Sequence, residues 1–158
     1  MRHVDAEFML MSEFAGEFLD GNGETQVVPK LPSKKRVQDA GYDVYSAEEG
    51  IVPAHGHYNF NTGVRLAVPE GWFYSVRGRS GLGFKNVQPF IGTIDATYNG
   101  HLRILLLNFG DEPLQVKIGD RVAQLIFEEQ VEMRPKLVES FSEAYDLRGQ
   151  AGFGSSGR

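Results

Sequence analysis

The residues of this chain that could do chemistry sit in glycine-rich turns. In Gly92-Thr93-Ile94-Asp95-Ala96-Thr97-Tyr98-Asn99-Gly100, a carboxylate and a phenol stand three residues apart, just before a strand-like run. A carboxylate fixed there can act as general base on a water, and the neighbouring ring can wall a sugar. The same letters also spell a hairpin with a turn-forming Asp and a packed Tyr. Gly78-Arg79-Ser80-Gly81-Leu82-Gly83 follows a predicted strand. A strand, a glycine turn and a short helix starting near Ser80 can hold an anion on backbone N–H groups. The segment is neither the phosphate-loop pattern nor the dinucleotide fingerprint. Ala40-Gly41-Tyr42-Asp43 sets a second carboxylate beside a glycine. In Gly119-Asp120-Arg121-Val122-Ala123-Gln124-Leu125, Gln124 enters an apolar strand, where its amide needs partners, either structural groups or a bound phosphate. The last stretch, Asp146 to Arg158, has no apolar period. Two arginines, two serines and four glycines there surround Phe153. Such a segment is either a frayed tail or a lid. As a lid, its hydroxyls, backbone and an arginine would grip phosphate while its ring stacks on a base.

Other chemistries lack their residues. With no cysteine in the chain, a disulfide framework, a thiolate zinc site and a cysteine nucleophile are excluded. His55 and His57 stand two apart with no third ligand cluster beside them. No Gly-x-Ser-x-Gly elbow is present. The net charge of −5 argues against general nucleic-acid binding. Ile104 to Leu107 is the longest aliphatic run, far short of the roughly 20 residues of a membrane helix. Asp5, Glu7 and Glu13 interrupt the N-terminal region where a secretion signal is apolar. A cytoplasmic or nuclear protein is expected, with no nucleic-acid or membrane partner.

Elements must position these turns, and 158 residues suit one domain. Phe8, Met11, Phe14, Ala15, Phe18 and Leu19 recur at spacings of three and four, which predicts a helix within residues 1–24. It would pack on its own domain or oligomer, or dock a partner. From residue 25 the period becomes two. Val64-Leu66-Val68, Trp72-Tyr74-Val76 and Leu114-Val116-Ile118 alternate with other residues as half-buried strands do. Leu102–Phe109 and Val122–Phe127 are more continuously apolar and read as strands covered on both faces. Short strands with turn signals between them predict a jelly-roll-like β-sandwich or barrel. The 19 glycines, about 12% of the chain against a usual ~7%, are concentrated in the turns described above.

Taken in order, these segments resemble the five motifs of the trimeric dUTPase family over roughly residues 26–157. Ala40-Gly41-Tyr42-Asp43-Val44, Arg79-Ser80-Gly81-Leu82, Gly92 through Gly100, Gly119 through Leu125, and Arg148-Gly149 with Gly152 through Gly157 are similar to the first to fifth motifs. Some viral members of the family share the likeness. The resemblance implies an all-β jelly roll of the dUTPase type in three parts. These are an N-terminal helical extension (1–24), the β domain (25–145) and a flexible C-terminal arm (146–158) that closes over the active site. It implies a homotrimer with active sites between subunits, hydrolysing dUTP to dUMP and pyrophosphate with Mg²⁺. Asp95 would be the base, and Tyr98 would lie under the deoxyribose and exclude a 2′-hydroxyl. Arg79 and Ser80 would contact the phosphate chain, Gln124 would bind near the α-phosphate, and Asp43 would hold the metal through water. Arg148, Ser155 and Ser156 would grip the γ-phosphate, Phe153 would stack on uracil, and Gly81 and Gly154 would be among the substrate-binding residues.

Two departures bear on the site. Gly78 stands where the family's second motif usually begins with Pro. Phe84 to Ile91 replaces a longer uracil-reading hairpin and contains Pro89, which has no N–H to donate; Asn86 is the candidate uracil contact there. Two other readings compete. A dCTP deaminase shares the fold, but that chemistry resembles a Glu-dependent attack on the base, and the corresponding position here is Leu105. A dUTPase-fold regulatory protein would act through a protein partner, with the N-terminal helix as its docking element.

Overall fold

Strand β10 shows how the sequence makes the core. Over His101–Asn108, residues Leu102, Ile104, Leu106 and Asn108 turn inward and are buried, whereas Arg103 is exposed. Successive side chains of a strand point to opposite faces, so the apolar alternate positions define one buried face. The structure is a computed structural model that describes residues 3–141. Four antiparallel strands, β1 (Glu7–Leu10), β6 (His57–Ala67), β10 and β8 (Val87–Pro89), form one sheet in that order. A second sheet runs β4 (Tyr42–Tyr45), β12 (Arg121–Glu129), β7 (Trp72–Arg77), β9 (Thr93–Asp95). Two ribbons complete the fold, β5 (Gly50–Val52) with β11 (Leu114–Val116), and β2 (Gly16–Leu19) with β3 (Thr25–Val28). Phe60, Leu66, Ile104 and Leu106 from the first sheet meet Val44, Tyr74, Val76 and Leu125 from the second in one apolar cluster. The expected all-β sandwich is therefore what the chain forms. The sole helix among the described residues is α1 (Ser80–Gly83), where a short helix was expected. No helix among those residues is long and apolar enough to cross a membrane.

The N-terminal helix is corrected. Residues 7–10 are a strand, 12–14 a single 3-10 turn, and 16–19 a strand. The apolar spacing fits a helix, yet Gly16 would sit mid-helix, where it costs roughly 1 kcal/mol relative to Ala. The extended chain instead pairs with the open edge of β6, Glu7–Leu10 facing Ala67–Val64, and this covers a row of unpaired backbone groups. Phe8 is exposed on its strand, but the other two aromatic residues still turn inward. Phe14 lies against Gly63 and the ring of His101, and Phe18 lies on Gly119. The described residues of this segment form no helical docking surface, and the β2–β3 hairpin runs across the expected boundary at residue 24.

A second difference concerns coverage. Leu105, Leu107 and Ile126 are only half-buried, and Phe109, just past β10, is exposed. The outer faces of β10 and β12 are therefore not fully covered within a single chain, whereas Phe127 packs inward on Tyr74.

One core group is unsatisfied. The Tyr74 hydroxyl is buried with no hydrogen-bond partner among the described residues, and burial, with Tyr98 nearby, pushes its ionisation far upward. An unmade buried hydrogen bond costs about 1–3 kcal/mol. Tyr74→Phe removes the hydroxyl and keeps the ring, so it should hold or raise the Tm in a calorimetric scan.

Candidate functional site

Two groups of site residues are carried by the second sheet. In the first, Asp43 on β4 faces Gln124 on β12, which faces Arg77 on β7. Just after β7 the chain turns through Gly78 into Arg79, whose Nε donates to Asp43 Oδ1 at 2.7 Å. Arg121 Nη1 donates to Asp43 Oδ2 at 3.2 Å, and Arg79 Nη1 donates to the Arg121 carbonyl at 3.3 Å. Asp43 thus orients two guanidinium groups and offsets their mutual repulsion. Its carboxylate is about one-fifth exposed, as is Arg79, so the pair is shielded more than a surface ion pair. Gln124 finds the partner that its apolar strand demanded: Nε2 donates to the Gly78 carbonyl at 2.7 Å. The other side of that amide lies on Gly41, where a Cβ would fall 2.8 Å from Gln124 Cδ. This is why the turn before Asp43 needs glycine.

Ser80 and Gly81 are exposed at the start of α1. Arg79, Gly81, Lys85, Asp120 and Arg121 line an open cavity of about 280 Å³, three cationic groups and one carboxylate beside backbone that can approach an anion. Gly41→Ala should push Gln124 off the Gly78 carbonyl, while the Tm changes by no more than about 1–2 kcal/mol of lost hydrogen bonding allows. A shift of the Gln124 side-chain amide resonances reads this.

The second group surrounds Asp95, the last residue of β9, opposite Phe73 of β7. Asp95 and Tyr98 line a cavity of about 400 Å³ together with Val76, Phe90, Ile94 and Leu105. Asp95 is the sole carboxylate of its lining. Tyr98 is about half exposed. Its ring lies over Gly100, where any Cβ would strike it, and its hydroxyl donates to the His101 carbonyl at 3.0 Å. The residue that must be glycine is thus the one the phenol ring covers.

Pairing register shows how the two groups lie. Phe73 faces Asp95, and Arg77, four residues on, faces Gln124. Side chains directly opposite share a face, so Asp95, Gln124 and Asp43 all project from the outer face of this sheet. At ~3.3 Å per residue and ~4.8 Å per strand, Asp95 and Gln124 are about 16 Å apart, and Asp95 and Asp43 about 20 Å. The surface between them is filled. Buried Ser75 donates to Glu128 at 3.0 Å and accepts from Arg77 Nε at 3.1 Å.

The structure thus brings Asp43, Arg79 and Gln124 together, places Ser80 and Gly81 beside them, and pairs Asp95 with Tyr98 elsewhere. Asn86 belongs to neither group. It follows α1 with φ 57°, and its carbonyl accepts from the Phe109 N–H. Arg148, Phe153, Gly154, Ser155 and Ser156 lie outside the described residues. Among the described residues no three His, Cys, Asp or Glu side chains cluster as a metal cage. Two further residues join these groups. Arg121 shares Asp43 with Arg79, and its charge beside Asp120 in a turn is the signal the sequence offers. His101 holds the Tyr98 hydroxyl through its carbonyl, and nothing in the sequence points to its contacts.

A dUTPase family model matches residues 29–157. The chain is similar to the probable deoxyuridine 5′-triphosphate nucleotidohydrolase of Schizosaccharomyces pombe, 45% identical over 80% of this chain and 90% of that protein. It is 41% identical to the mitochondrial deoxyuridine 5′-triphosphate nucleotidohydrolase of Dictyostelium discoideum over 86% of this chain and 79% of that one. Among solved structures it resembles the dUTPase of Staphylococcus bacteriophage 80alpha with dUPNHPP, at 27% identity and a TM-score of 0.78, covering 98% of this chain and 99% of that one. A mutant dUTPase of phage phi11 of S. aureus, described with a structural Mg(II) ion, matches at 26% identity and a TM-score of 0.69, covering 87% and 98%.

Proposed function

This chain belongs to the dUTPase family, and from that premise we infer that it hydrolyses dUTP to dUMP and pyrophosphate. We propose the following roles. Asp95 accepts a proton from a water whose oxygen attacks the α-phosphorus. The bond from that phosphorus to the bridging oxygen breaks, and pyrophosphate leaves with the electron pair. Arg79, with Ser80 and the Gly81 backbone, neutralises charge moving onto the leaving group, which is where phosphoryl chemistry gains most from a protein. Gln124 binds near the α-phosphate. Tyr98, fixed on Gly100, forms the floor beneath the deoxyribose, where a 2′-hydroxyl would collide. Arg148, Gly154, Ser155, Ser156 and Phe153 of the C-terminal arm close over the γ-phosphate and the base.

The observation that carries this reading is the Asp95–Tyr98 cavity, an apolar pocket with one carboxylate and with Leu105 in its wall. The deaminase alternative asks for a Glu at Leu105, and a leucine cannot transfer a proton. Incubation with dUTP and dCTP together tests it. Pyrophosphate from dUTP is expected, and ammonia from dCTP would overturn it.

The ~16 Å between Asp95 and Gln124 supports a site shared between copies. A base must lie within hydrogen-bond reach of the water it activates, and that water must touch the phosphorus that Gln124 helps to hold. One chain does not bring these groups together; the Asp95 cavity of one copy against the Arg79 face of another does. The half-buried apolar residues on the outer sides of β10 and β12 give such a contact its hydrophobic surface. A ring of three copies, as in the family, has three equivalent sites.

Magnesium suits this donor set through the substrate. Mg²⁺ keeps several waters and binds mainly through phosphates in such sites. Asp43, although engaged by both arginines, retains lone pairs that can accept from a metal-bound water. When bound, the ion would neutralise phosphate charge.

A further inference from the structure

The cavity wall next to Tyr98 contains an arrangement the hydrolytic mechanism does not use. Between Leu102 and Arg103, the β10–β6 register jumps from Val64 to Asn61, leaving Thr62 and Gly63 as a bulge. A bulge frees backbone groups from the ladder, and buried ones must find partners. Three contacts outside the ladder hold the bulge. Thr62 Oγ1 donates to the Leu102 carbonyl at 2.6 Å. The Gly63 carbonyl accepts from the Met11 N–H at 2.8 Å. The Gly63 N–H donates to Nε2 of His101 at 3.1 Å. Gly63 has φ +67°, and a Cβ there would lie 2.5 Å from Pro29 Cγ and 3.0 Å from Phe14 Cβ, so the bulge is tightly seated. Phe14 covers the imidazole, with ring centroids 5.1 Å apart. His101 in turn holds the sugar floor, because its carbonyl accepts the Tyr98 hydroxyl.

We infer that His101 is a positioning residue for substrate selectivity: its uncharged imidazole, accepting from the Gly63 bulge and covered by Phe14, locks the Tyr98 floor that distinguishes deoxyribose from ribose. The inference rests on the dUTPase reading for what the floor binds. An imidazole can accept at Nε2 only when that nitrogen carries no proton, so protonation sets two N–H groups against each other and opens the lock. The charges around the ring are mixed. Burial, then Arg103, lowers its proton affinity, and Glu13 and Glu48 oppose them. Arg65, its register partner on β6, is turned away to the Asn99 carbonyl at 2.8 Å, and Asp95 lines the same cavity. With the proton affinity lowered, the ring stays neutral somewhat below its ordinary 6.5, and the lock opens as the pH falls further. Phe14 lies outside the family-matched residues, which begin at 29, so the N-terminal strand segment takes part in a site that the family's motifs do not describe.

The test is the ratio of kcat/KM for dUTP over UTP, since effects on the hydrolytic step common to both substrates cancel in it. His101→Leu and Phe14→Ala should each lower the ratio about tenfold, chiefly through KM. His101→Gln, which keeps an uncharged acceptor, should restore most of it and serves if the Leu variant does not fold. Between about pH 7.5 and about pH 5 the ratio should fall in the unmodified chain and stay flat in His101→Gln. The Gly63 amide resonance should titrate with the imidazole in the former and not in the latter. An unchanged ratio in all variants, or a Gly63 amide indifferent to the imidazole's titration, overturns the inference. Absence of dUTP turnover in the unmodified chain would instead sink the dUTPase reading, while the amide titration still decides whether the lock exists.

Discussion

Asp95→Asn should lower kcat on dUTP by about 10²–10⁴-fold, the usual contribution of one general base, with little change in KM. Asn has nearly the shape of Asp, and its carbonyl oxygen still accepts from a water, but it cannot take the proton. Ground-state contacts survive, and the loss appears only in the transition state. Asp95 ends a strand and is exposed in the single chain. Its backbone carbonyl accepts from the Tyr98 N–H at 3.1 Å, a bond that Asn keeps, and its carboxylate makes no hydrogen bond among the described residues whose loss would confound the measurement. Pyrophosphate release at saturating dUTP, alongside binding of a non-hydrolysable analogue, separates the two effects. Turnover within threefold of the unmodified chain would move the base to another residue.

Mixing two inactive variants should restore activity. Arg79→Ala removes the phosphate side of a site and Asp95→Asn its base. If each site takes Arg79 from one copy and Asp95 from the next, a site in a mixed ring is intact when one copy carries only the first lesion and its neighbour only the second. With equal amounts and random assembly that chance is one half times one half, so about a quarter of full activity should return. The separate preparations would stay at least about a hundredfold below the unmodified enzyme. If the mixture remains as inactive as its parts, both groups act within one chain, and the ~16 Å drawn from strand register would have to close by a large rearrangement. Arg79→Ala also leaves Asp43 with Arg121 alone, so the chain length of the assembly should be verified by light scattering before and after mixing.

Much of the sheet was legible because strand periodicity is a local signal. The alternation in Trp72–Val76 and Leu114–Val116 matches β7 and β11 as found, and the glycine turns fall between strands. Several motif residues also meet as their chemistry required. The amide of Gln124 needed a partner and has the Gly78 carbonyl; the turn before Asp43 needed glycine because Gln124 lies on it. The N-terminal segment misled because an apolar spacing of three and four also suits short strands whose aromatic residues reach inward from separate turns. What decided between helix and strand was the open edge of β6, roughly fifty residues away in the chain. His101 was illegible for a related reason: its partner is a bulge amide, and a bulge is a property of two strands in register.

The amino-acid sequence by itself determined the fold class, through local periodicity, and the family, through the likeness of its five motifs to a known one. Tertiary structure decided which residues share a site. It placed Asp43, Arg79 and Arg121 in one charge network, set Asp95 apart from them on the same sheet face, and set Phe14 on His101 beside Tyr98. Such proximities depend on strand order and register, which are fixed by cross-strand hydrogen bonds and burial over the whole domain, and no local window of the sequence contains them.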